Sequence, residues 1–408
     1  MTLNLCFYFQ VHQPWRLRTY RYADVAHAHD YFDAEANARI LRRVADKCYL
    51  PMNALLEELI RRLQPDFRVT FSITATALEQ MREYAPDALA SFRRLVATGG
   101  VELLAETSHH SLAGLYSPGE FRAEVARHRE VCQRLLGTPG WVFRNTELIT
   151  NDAIAAEVAA MGFRGLCIEG AERLFRGRSL LQPCRFAAAP ALLALPRAYR
   201  LSDDIAFRFS NRAWSEWPLT VERYIGWLDA LRASAGDAPG ERVVGLFMDY
   251  ETFGEHQWAD TGIFDFMRAL PAAVLARPGL RFATASEALQ RVEPSHVSLD
   301  VPEPVSWADL ERDTSAWTGN RIQKAALDAV YALETAVKKA GAADPGLIED
   351  WRRLLSSDHV YYMSTKYWAD GDVHKYFSHY DSPYDAYIGY MNVLEDVARR
   401  CGTKLVAA

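Results

Sequence analysis

Short apolar runs alternate with amphipathic segments through the first two thirds of the chain. Runs of this length, bounded by turn residues, are typical of buried β-strands. The predicted strands are Leu3–Val11, Arg68–Thr74, Val101–Ala105, Trp141–Phe143, Gly165–Ile168, Ile205–Phe209, Val243–Asp249 and Leu280–Ala283. Helix-start signals lie between several of them, such as the Ser-Pro-Gly-Glu sequence at 117–120. Alternating strands and helices predict an α/β fold with parallel strands, closed or nearly closed into a TIM-like barrel.

The pattern changes near residue 295. We predict a catalytic barrel over residues 1–295, with insertions at about 15–63 and 169–199, and a helical domain over residues 296–408. Residues 297–305, with two prolines, resemble a linker, and helical signals dominate after them. The aromatic, polar stretch Tyr361–Tyr380 is predicted to fold back over the barrel mouth, so that the helical domain contributes to the rim of the site.

Composition and charge exclude several classes of protein. The net charge of -6 argues against a nucleic-acid partner, because no basic patch would neutralise phosphates. No window approaches ~20 uninterrupted apolar residues, so no membrane span is expected. Residues Met1–Val11 are interpreted as a first strand rather than a signal peptide, which makes a cytoplasmic location the default. The six cysteines show no metal or redox spacing, and no cofactor is expected.

Polar side chains follow the predicted strands at the ends where a parallel barrel gathers its reactive groups. In chain order they are His12, Gln13, Glu102, Glu106, His109, His110, Glu147, Asp249, Glu251 and His256. Two carboxylic acids, a histidine and amides at one mouth suit a neutral polyol such as a sugar. Paired acids suggest glycoside hydrolysis, retaining if the carboxyls lie ~5–5.5 Å apart and inverting at ~6.5–9.5 Å.

Aromatic side chains near the predicted loops are candidates to stack on sugar rings, and we select Trp258, Trp317 and Trp368. Two assignments stay open. Glu251 either holds Asp249 protonated by like-charge proximity or makes a structural hydrogen bond. Only one of the adjacent residues His109 and His110 is expected to face the site, and we choose His110.

Five short segments resemble the motifs of the family 57 glycoside hydrolases, which act on α-glucans. They are His-Gln-Pro at 12–14, Gly-Gly-Val-Glu at 99–102, Phe-Arg-Asn-Thr-Glu-Leu at 143–148, Phe-Met-Asp-Tyr-Glu-Thr-Phe-Gly-Glu-His at 247–256 and Ser-Ala-Trp-Thr-Gly-Asn at 315–320. The second departs from the usual pattern, because Gly100 stands where Asn or Gln is common. The resemblance implies an incomplete (β/α)7 barrel followed by a C-terminal α-helical region.

The resemblance also implies roles. Glu147 corresponds to the catalytic nucleophile and Asp249 to the general acid/base. His12 and Glu102 correspond to residues of the donor-sugar subsite, and Trp317 to an aromatic residue of the fifth motif.

The resulting hypothesis is a retaining glycoside hydrolase or transglycosylase, of the α-amylase or 4-α-glucanotransferase type, acting on α-1,4-glucans. A branching enzyme, a metal-dependent polysaccharide deacetylase and a non-catalytic glucan-binding protein are the alternatives. The His-Ala-His-Asp sequence at 27–30 looks like a metal site but has no matching partner, so no metal is assigned.

Overall fold

Seven parallel strands surround the centre of the protein in the computed structural model, which describes residues 1–177, 179–234, 240–366 and 378–405. The strands, in chain order, are β1 (Thr2–Val11), β2 (Val69–Ile73), β3 (Val101–Leu103), β4 (Val142–Arg144), β5 (Gly165–Ile168), β6 (Cys184–Phe186), β7 (Leu193–Pro196), β8 (Glu241–Asp249), β9 (Leu280–Phe282) and β10 (Ser295–Leu299).

Two sheets form the barrel wall. In the first, β1 pairs with β8 along its whole length and with β2 and β9 on its other edge, and β2 pairs with β3. In the second, β5 lies between β4 and β7. Single parallel bridges join the sheets, from Ala105 after β3 to Phe143 and from Arg197 after β7 to Gly245. The circuit β1-β2-β3-β4-β5-β7-β8 is the predicted seven-stranded, TIM-like α/β fold.

Gly245 permits the close approach at the second junction. A β-carbon there would lie 2.4 Å from the carbonyl oxygen of Pro196, so any larger residue would push β7 and β8 apart. The same junction carries the hydrogen bond from the Ala198 N–H to the Gly245 carbonyl, at 2.8 Å.

Helices pack outside the strands and make up most of the chain after β10. The α-helices of eight or more residues are Ala34–Val44, Leu50–Arg62, Ala75–Tyr84, Pro86–Val96, Pro118–Leu135, Asp152–Ala160, Tyr199–Ala206, Val221–Ser234, Ile263–Leu275, Arg321–Ala332, Pro345–Leu354 and Pro383–Arg400. Shorter ones are Ala113–Tyr116, Glu172–Phe175, Ala285–Arg291, Ser315–Thr318, Glu334–Ala340 and Ser357–Tyr361. A π-helical turn, Ala45–Tyr49, joins the first two helices.

Helix-start signals in the sequence are confirmed by the cap geometry. Ser117 accepts a hydrogen bond from the Glu120 N–H at 3.1 Å, and Asn151 accepts one from the Ile154 N–H at 2.8 Å. The Glu120 side chain, however, does not complete a capping box. It is fully buried and pairs with Arg352 at 2.6 Å and Lys338 at 2.7 Å, which ties the barrel to the C-terminal helices.

One predicted strand is wrong. Ile205 and Ala206 end the helix Tyr199–Ala206, because a short apolar run does not distinguish a strand from the buried face of a helix. The seventh barrel strand is instead Leu193–Pro196, inside the segment 169–199 that we had predicted to be an insertion. The predicted boundary at 295 and the linker that follows coincide with β10, which pairs with β6. The sheet therefore continues across that boundary.

Candidate active site

The turn after β4 positions Glu147. Thr146–Leu148 is a 3-10 turn in which Glu147 (φ 55°) and Leu148 (φ 52°) both adopt left-handed backbone conformations. Such conformations cost roughly 1–3 kcal/mol each for residues with a side chain, and they persist where the surroundings fix them. Here the Glu147 carbonyl accepts hydrogen bonds from Ser306 Oγ (2.9 Å) and the Trp307 N–H (3.1 Å).

Both carboxylate oxygens of Glu147 are hydrogen-bonded. Oε1 lies 2.7 Å from His110 Nε2, and Oε2 accepts a 2.7 Å hydrogen bond from the Trp307 indole N–H. Burial raises the pKa of Glu147, but His110 and Arg144 lower the pKa by more than burial raises it, so the net shift is downward. The side chain is still 23% exposed, so an ionised carboxylate is accessible to a ligand.

His110 supplies the positive charge beside Glu147. Its Nδ1 lies 3.8 Å from a carboxylate oxygen of the fully buried Glu106. Burial lowers the pKa of His110, but Glu106 and Glu147 raise it more, to about 9. The imidazole is therefore protonated at neutral pH and bridges two carboxylates.

His12 stacks on His110, with ring centroids 4.1 Å apart and ring planes 16° apart. Its Nδ1 bonds Thr74 at 3.0 Å and its Nε2 bonds Asp358 at 2.9 Å. Burial, together with the charge of His110, lowers the pKa of His12. Asp358 comes from the short helix Ser357–Tyr361, and the N–H of Ser357 bonds the His110 carbonyl at 2.9 Å. The C-terminal region thus contributes directly to this site.

Two arginines enclose Trp307. The guanidinium of Arg144 lies 5.1 Å from the centre of the indole, and that of Arg197 lies 5.6 Å from it. Arg144 is fully buried, 3.7 Å from Glu106, while its Nε and Nη2 have no hydrogen-bond partner. Arg197 pairs with Glu169 at 3.1 Å. These contacts fix the indole that donates to Glu147.

Asp249 lies at the end of β8, opposite Gln10 of β1. Burial raises its pKa, and the negative charge of Glu147 raises it further, to about 6, against the lowering effect of Arg144, His110 and Arg197. The two acids are therefore within electrostatic reach of each other. Their environments move the two pKa values in opposite directions, which is the arrangement that separates a proton donor from an ionised partner.

Glu251 lies two residues after Asp249, in the 3-10 turn Tyr250–Thr252, and is 8% exposed. Tyr49, on the π-helical turn, donates a hydrogen bond to its Oε1, and Gln13 also bonds it. Burial and the charge of Asp249 raise the pKa of Glu251 to about 8. The hydrogen bond from Tyr49 agrees with the alternative in which Glu251 makes a structural hydrogen bond. The acid whose charge raises the pKa of Asp249 is Glu147.

Several predicted site residues are not brought into this cluster. The carboxylate of Glu102 accepts hydrogen bonds from the Ser286 N–H (3.0 Å) and hydroxyl at the start of the helix Ala285–Arg291. Trp317 is 2% exposed and packs against Tyr361, so the assignment of a sugar-stacking role to it is corrected.

The other predicted side chains lie in or after the β8 loop, or outside the described structure. Trp258 is 57% exposed and has the Lys47 ammonium 5.4 Å from its ring. His256 donates its backbone N–H to the Glu251 carbonyl at 2.9 Å, and burial lowers the pKa of its imidazole to about 4. Trp368 lies outside the described residues.

His109 points away from Glu147. Its Nδ1 bonds Ser108 and its Nε2 lies 3.4 Å from Glu349. Of the two adjacent histidines, His110 is therefore the one that contacts Glu147.

Three residues of the cluster were missed: Arg144, Trp307 and Asp358. Arg144 was visible as a charged residue inside an apolar strand end. Trp307 and Asp358 follow a segment predicted as a linker and helices, and no local signal ties them to the barrel. Antiparallel bridging of Thr150 with Val305 brings Trp307 beside Glu147.

Within the ranges that the structure describes, no group of three or more His, Cys, Asp or Glu side chains is arranged to hold a metal ion. The same ranges contain no helix that is both long and apolar enough to cross a membrane.

The sequence model of glycosyl hydrolase family 57 matches residues 6–302. The chain belongs to glycosyl hydrolase family 57. A curated protein of Methanocaldococcus jannaschii, named "Putative alpha-amylase", is 40% identical over 403 residues, covering 96% of this chain and 83% of that protein.

Solved structures with the family 57 fold resemble this one at low sequence identity. A branching enzyme from Thermococcus kodakaraensis has a TM-score of 0.70 at 14% identity, with 97% of this chain and 90% of that chain covered. A 4-alpha-glucanotransferase from Thermococcus litoralis has a TM-score of 0.63 at 16% identity, with 88% of this chain covered. The chain spans 56% of the length of that glucanotransferase.

Proposed function

We propose that this family 57 member is a retaining α-1,4-glucan hydrolase or transglycosylase, with Glu147 as nucleophile and Asp249 as general acid/base. The observation that carries the proposal is a pair of acids at the ends of β4 and β8, in which Glu147 is held by His110 and by the Trp307 indole at 2.7 Å each. The directions of the two pKa shifts, downward for Glu147 and upward for Asp249, agree with these roles. The names of the relatives, an alpha-amylase, a glucanotransferase and a branching enzyme, support an α-glucan as substrate.

In the first step, protonated Asp249 gives its proton to the glycosidic oxygen while a carboxylate oxygen of Glu147 attacks the anomeric carbon. The bond to the leaving sugar breaks, and a glycosyl ester forms on Glu147. The hydrogen bonds from His110 and Trp307 stabilise the charge of Glu147 before attack and again when the ester is cleaved. Protonated His110 and the indole N–H are thus positioned for both halves of the reaction.

In the second step, ionised Asp249 takes a proton from the acceptor, which attacks the anomeric carbon and releases Glu147. Water as acceptor gives hydrolysis, and a sugar hydroxyl gives transfer. Incubation with maltoheptaose distinguishes them: longer products indicate transfer and only shorter ones indicate hydrolysis. New α-1,6 linkages in the products would indicate branching.

Glu147→Gln should lower kcat by about 10⁴-fold or more while glucan binding is retained. Glu349→Gln is the matched control, because Glu349 also contacts a histidine, His109, but lies away from Asp249. Proton NMR of the first products should show the α-anomer. Unchanged turnover in Glu147→Gln, an initial β-anomer, or no activity on maltoheptaose, amylose and glycogen would each overturn the proposal.

A further inference from the structure

A groove of about 590 Å³ lies on the protein surface beside the active site and does not include either catalytic acid. Its volume falls within the ~300–1,000 Å³ typical of pockets that bind small molecules. Aromatic and aliphatic side chains, Tyr199, Trp214, Trp227 and Leu310, line it together with charged ones.

The loop that holds the nucleophile also forms one wall of the groove. Ser306 and Trp307 bond the Glu147 backbone, and Leu310 and Arg312, a few residues later, line the groove. The Ser306 N–H bonds the Arg312 carbonyl at 3.2 Å, which closes this loop on itself. One short segment, Ser306–Arg312, therefore contacts Glu147 at its start and lines the groove at its end.

A second connection passes through the barrel wall. Asp203 lines the groove and pairs with Arg197, whose guanidinium lies over the indole of Trp307. Trp307 in turn donates its N–H to Glu147. Asp203 in the groove is therefore linked to Glu147 through the packed side chains of Arg197 and Trp307.

The charges of the side chains that line the groove sum to zero. Three arginines and three acids contribute to it: Arg200, Arg208, Arg312, Asp203, Asp204 and Glu216. They are held in ion pairs, for example Arg208 with Asp204 at 2.6 Å. A lining with many hydrogen-bonding groups and no net charge matches a neutral polyhydroxyl ligand better than a phosphate, a nucleic acid or an acidic peptide.

The two tryptophans that line the groove pack against each other. Trp214 packs edge-on against Trp227, with ring centroids 6.0 Å apart, and the Arg208 guanidinium lies 5.7 Å from the Trp214 ring. Leu310 is 85% exposed at the edge of the groove. Leu310 thus adds an exposed apolar side chain at the rim of the groove, next to the paired indoles.

We propose that this groove binds the part of an α-glucan chain that is remote from the bond being cleaved or transferred. The inference rests on the proposed function and extends it: the enzyme would favour long chains such as glycogen and amylose over maltotriose, because only long chains reach the groove.

Trp214→Ala and Leu310→Asp test the groove, with Tyr384→Ala as the control. Tyr384 is 63% exposed on the helix Pro383–Arg400 and does not line the groove. Binding is measured by native electrophoresis in gels containing glycogen, and kcat/KM is measured on glycogen and on maltotriose. Each groove variant should weaken glycogen binding about five- to tenfold, as expected for the loss of one stacking or apolar contact. The fall in kcat/KM should be larger for glycogen than for maltotriose, and Tyr384→Ala should change neither.

Circular dichroism identifies a misfolded variant. If Trp214→Ala fails to fold, Leu310→Asp decides alone, because its side chain is mostly exposed. If glycogen retards the wild type and the groove variants equally, the proposal that the groove binds glucan is wrong, while the proposed function stands. Activity on maltoheptaose without any retardation of the wild type would lead to the same conclusion. Neither activity nor retardation would overturn both proposals.

Discussion

Replacing His110 with glutamine removes a positive charge from beside Glu147, the proposed nucleophile, while retaining a hydrogen-bond donor. The rise of the His110 pKa from 6.5 to about 9 corresponds to roughly 3 kcal/mol of interaction, at about 1.4 kcal/mol per pKa unit. Glu106 and Glu147 share this interaction, so we expect the loss of His110 to raise the pKa of Glu147. The same change should raise the pKa of Asp249, because His110 is among the charges that lower it.

The pH dependence of kcat/KM measures both effects. The proposed mechanism requires ionised Glu147 and protonated Asp249. Activity of the wild type should therefore fall at acid pH, below the usual pKa range of a glutamate, where Glu147 becomes protonated, and above about pH 6, where Asp249 loses its proton. His110→Gln should shift both limbs to higher pH. It should also lower the maximum by up to about 10²-fold, because the Glu147 carboxylate is less firmly placed.

His109→Gln is the matched control. The pKa of His109 is also about 9: burial lowers it, and Glu124 and Glu349 raise it more. A raised histidine pKa stabilises the fold fully below pH 6.5, and this stabilisation is lost as pH rises through about 9. Both variants should therefore lower the free energy of unfolding at pH 6 more than at pH 10, but only His110→Gln should move the activity limbs. Unmoved limbs in His110→Gln, or equal movement in both variants, would refute the reasoning.

Three further substitutions separate catalytic from structural roles. Trp307→Phe keeps the ring but removes the N–H that bonds Glu147, so kcat should fall about ten- to hundredfold with the acid limb moved to higher pH; an unchanged limb would contradict this contact. Glu102→Gln should lower the melting temperature by loss of the cap at Ser286, with kcat/KM on maltoheptaose within about twofold of wild type; a large loss of activity with normal stability would support the donor-subsite role instead. Glu120→Ala removes the buried partner of Lys338 and Arg352, so urea denaturation should show a loss of about 1–3 kcal/mol, and no measurable change would contradict a structural role.

The local signals of the sequence predicted the barrel, and they placed Glu147 and Asp249 at the ends of two of its strands. Apolar runs that end in acids identify β4 and β8, because burying a carboxylate at a strand end is costly unless a site uses it. The strand Leu193–Pro196 was not predicted, because it is four residues long and follows another short strand, Cys184–Phe186, with which it pairs antiparallel. That irregularity breaks the strand-helix alternation on which the prediction relied.

Contacts between distant segments were beyond the reach of the sequence pattern. Glu102 sits on a strand of the barrel, as expected, but its partner Ser286 is 184 residues away, and nothing near Glu102 predicts that the carboxylate caps a helix. Trp307 and Trp317 are ten positions apart along the chain, and each is flanked by one alanine and one hydroxyl residue. Only the bridging of Thr150 with Val305 decides which indole reaches Glu147.

The protonation states on which the proposed chemistry depends are set from outside the barrel as well as within it. The match to the family model ends at residue 302, yet Trp307 donates to Glu147 and Asp358 bonds the histidine stacked on His110. Both segments are anchored to the barrel by backbone hydrogen bonds, from Trp307 to the Glu147 carbonyl and from Ser357 to the His110 carbonyl. Loosening the segments that carry Trp307 and Asp358 should therefore remove the indole donor from Glu147 and the carboxylate partner from His12 before it disturbs any strand. For this reason, loss of activity should precede loss of barrel structure during gradual denaturation.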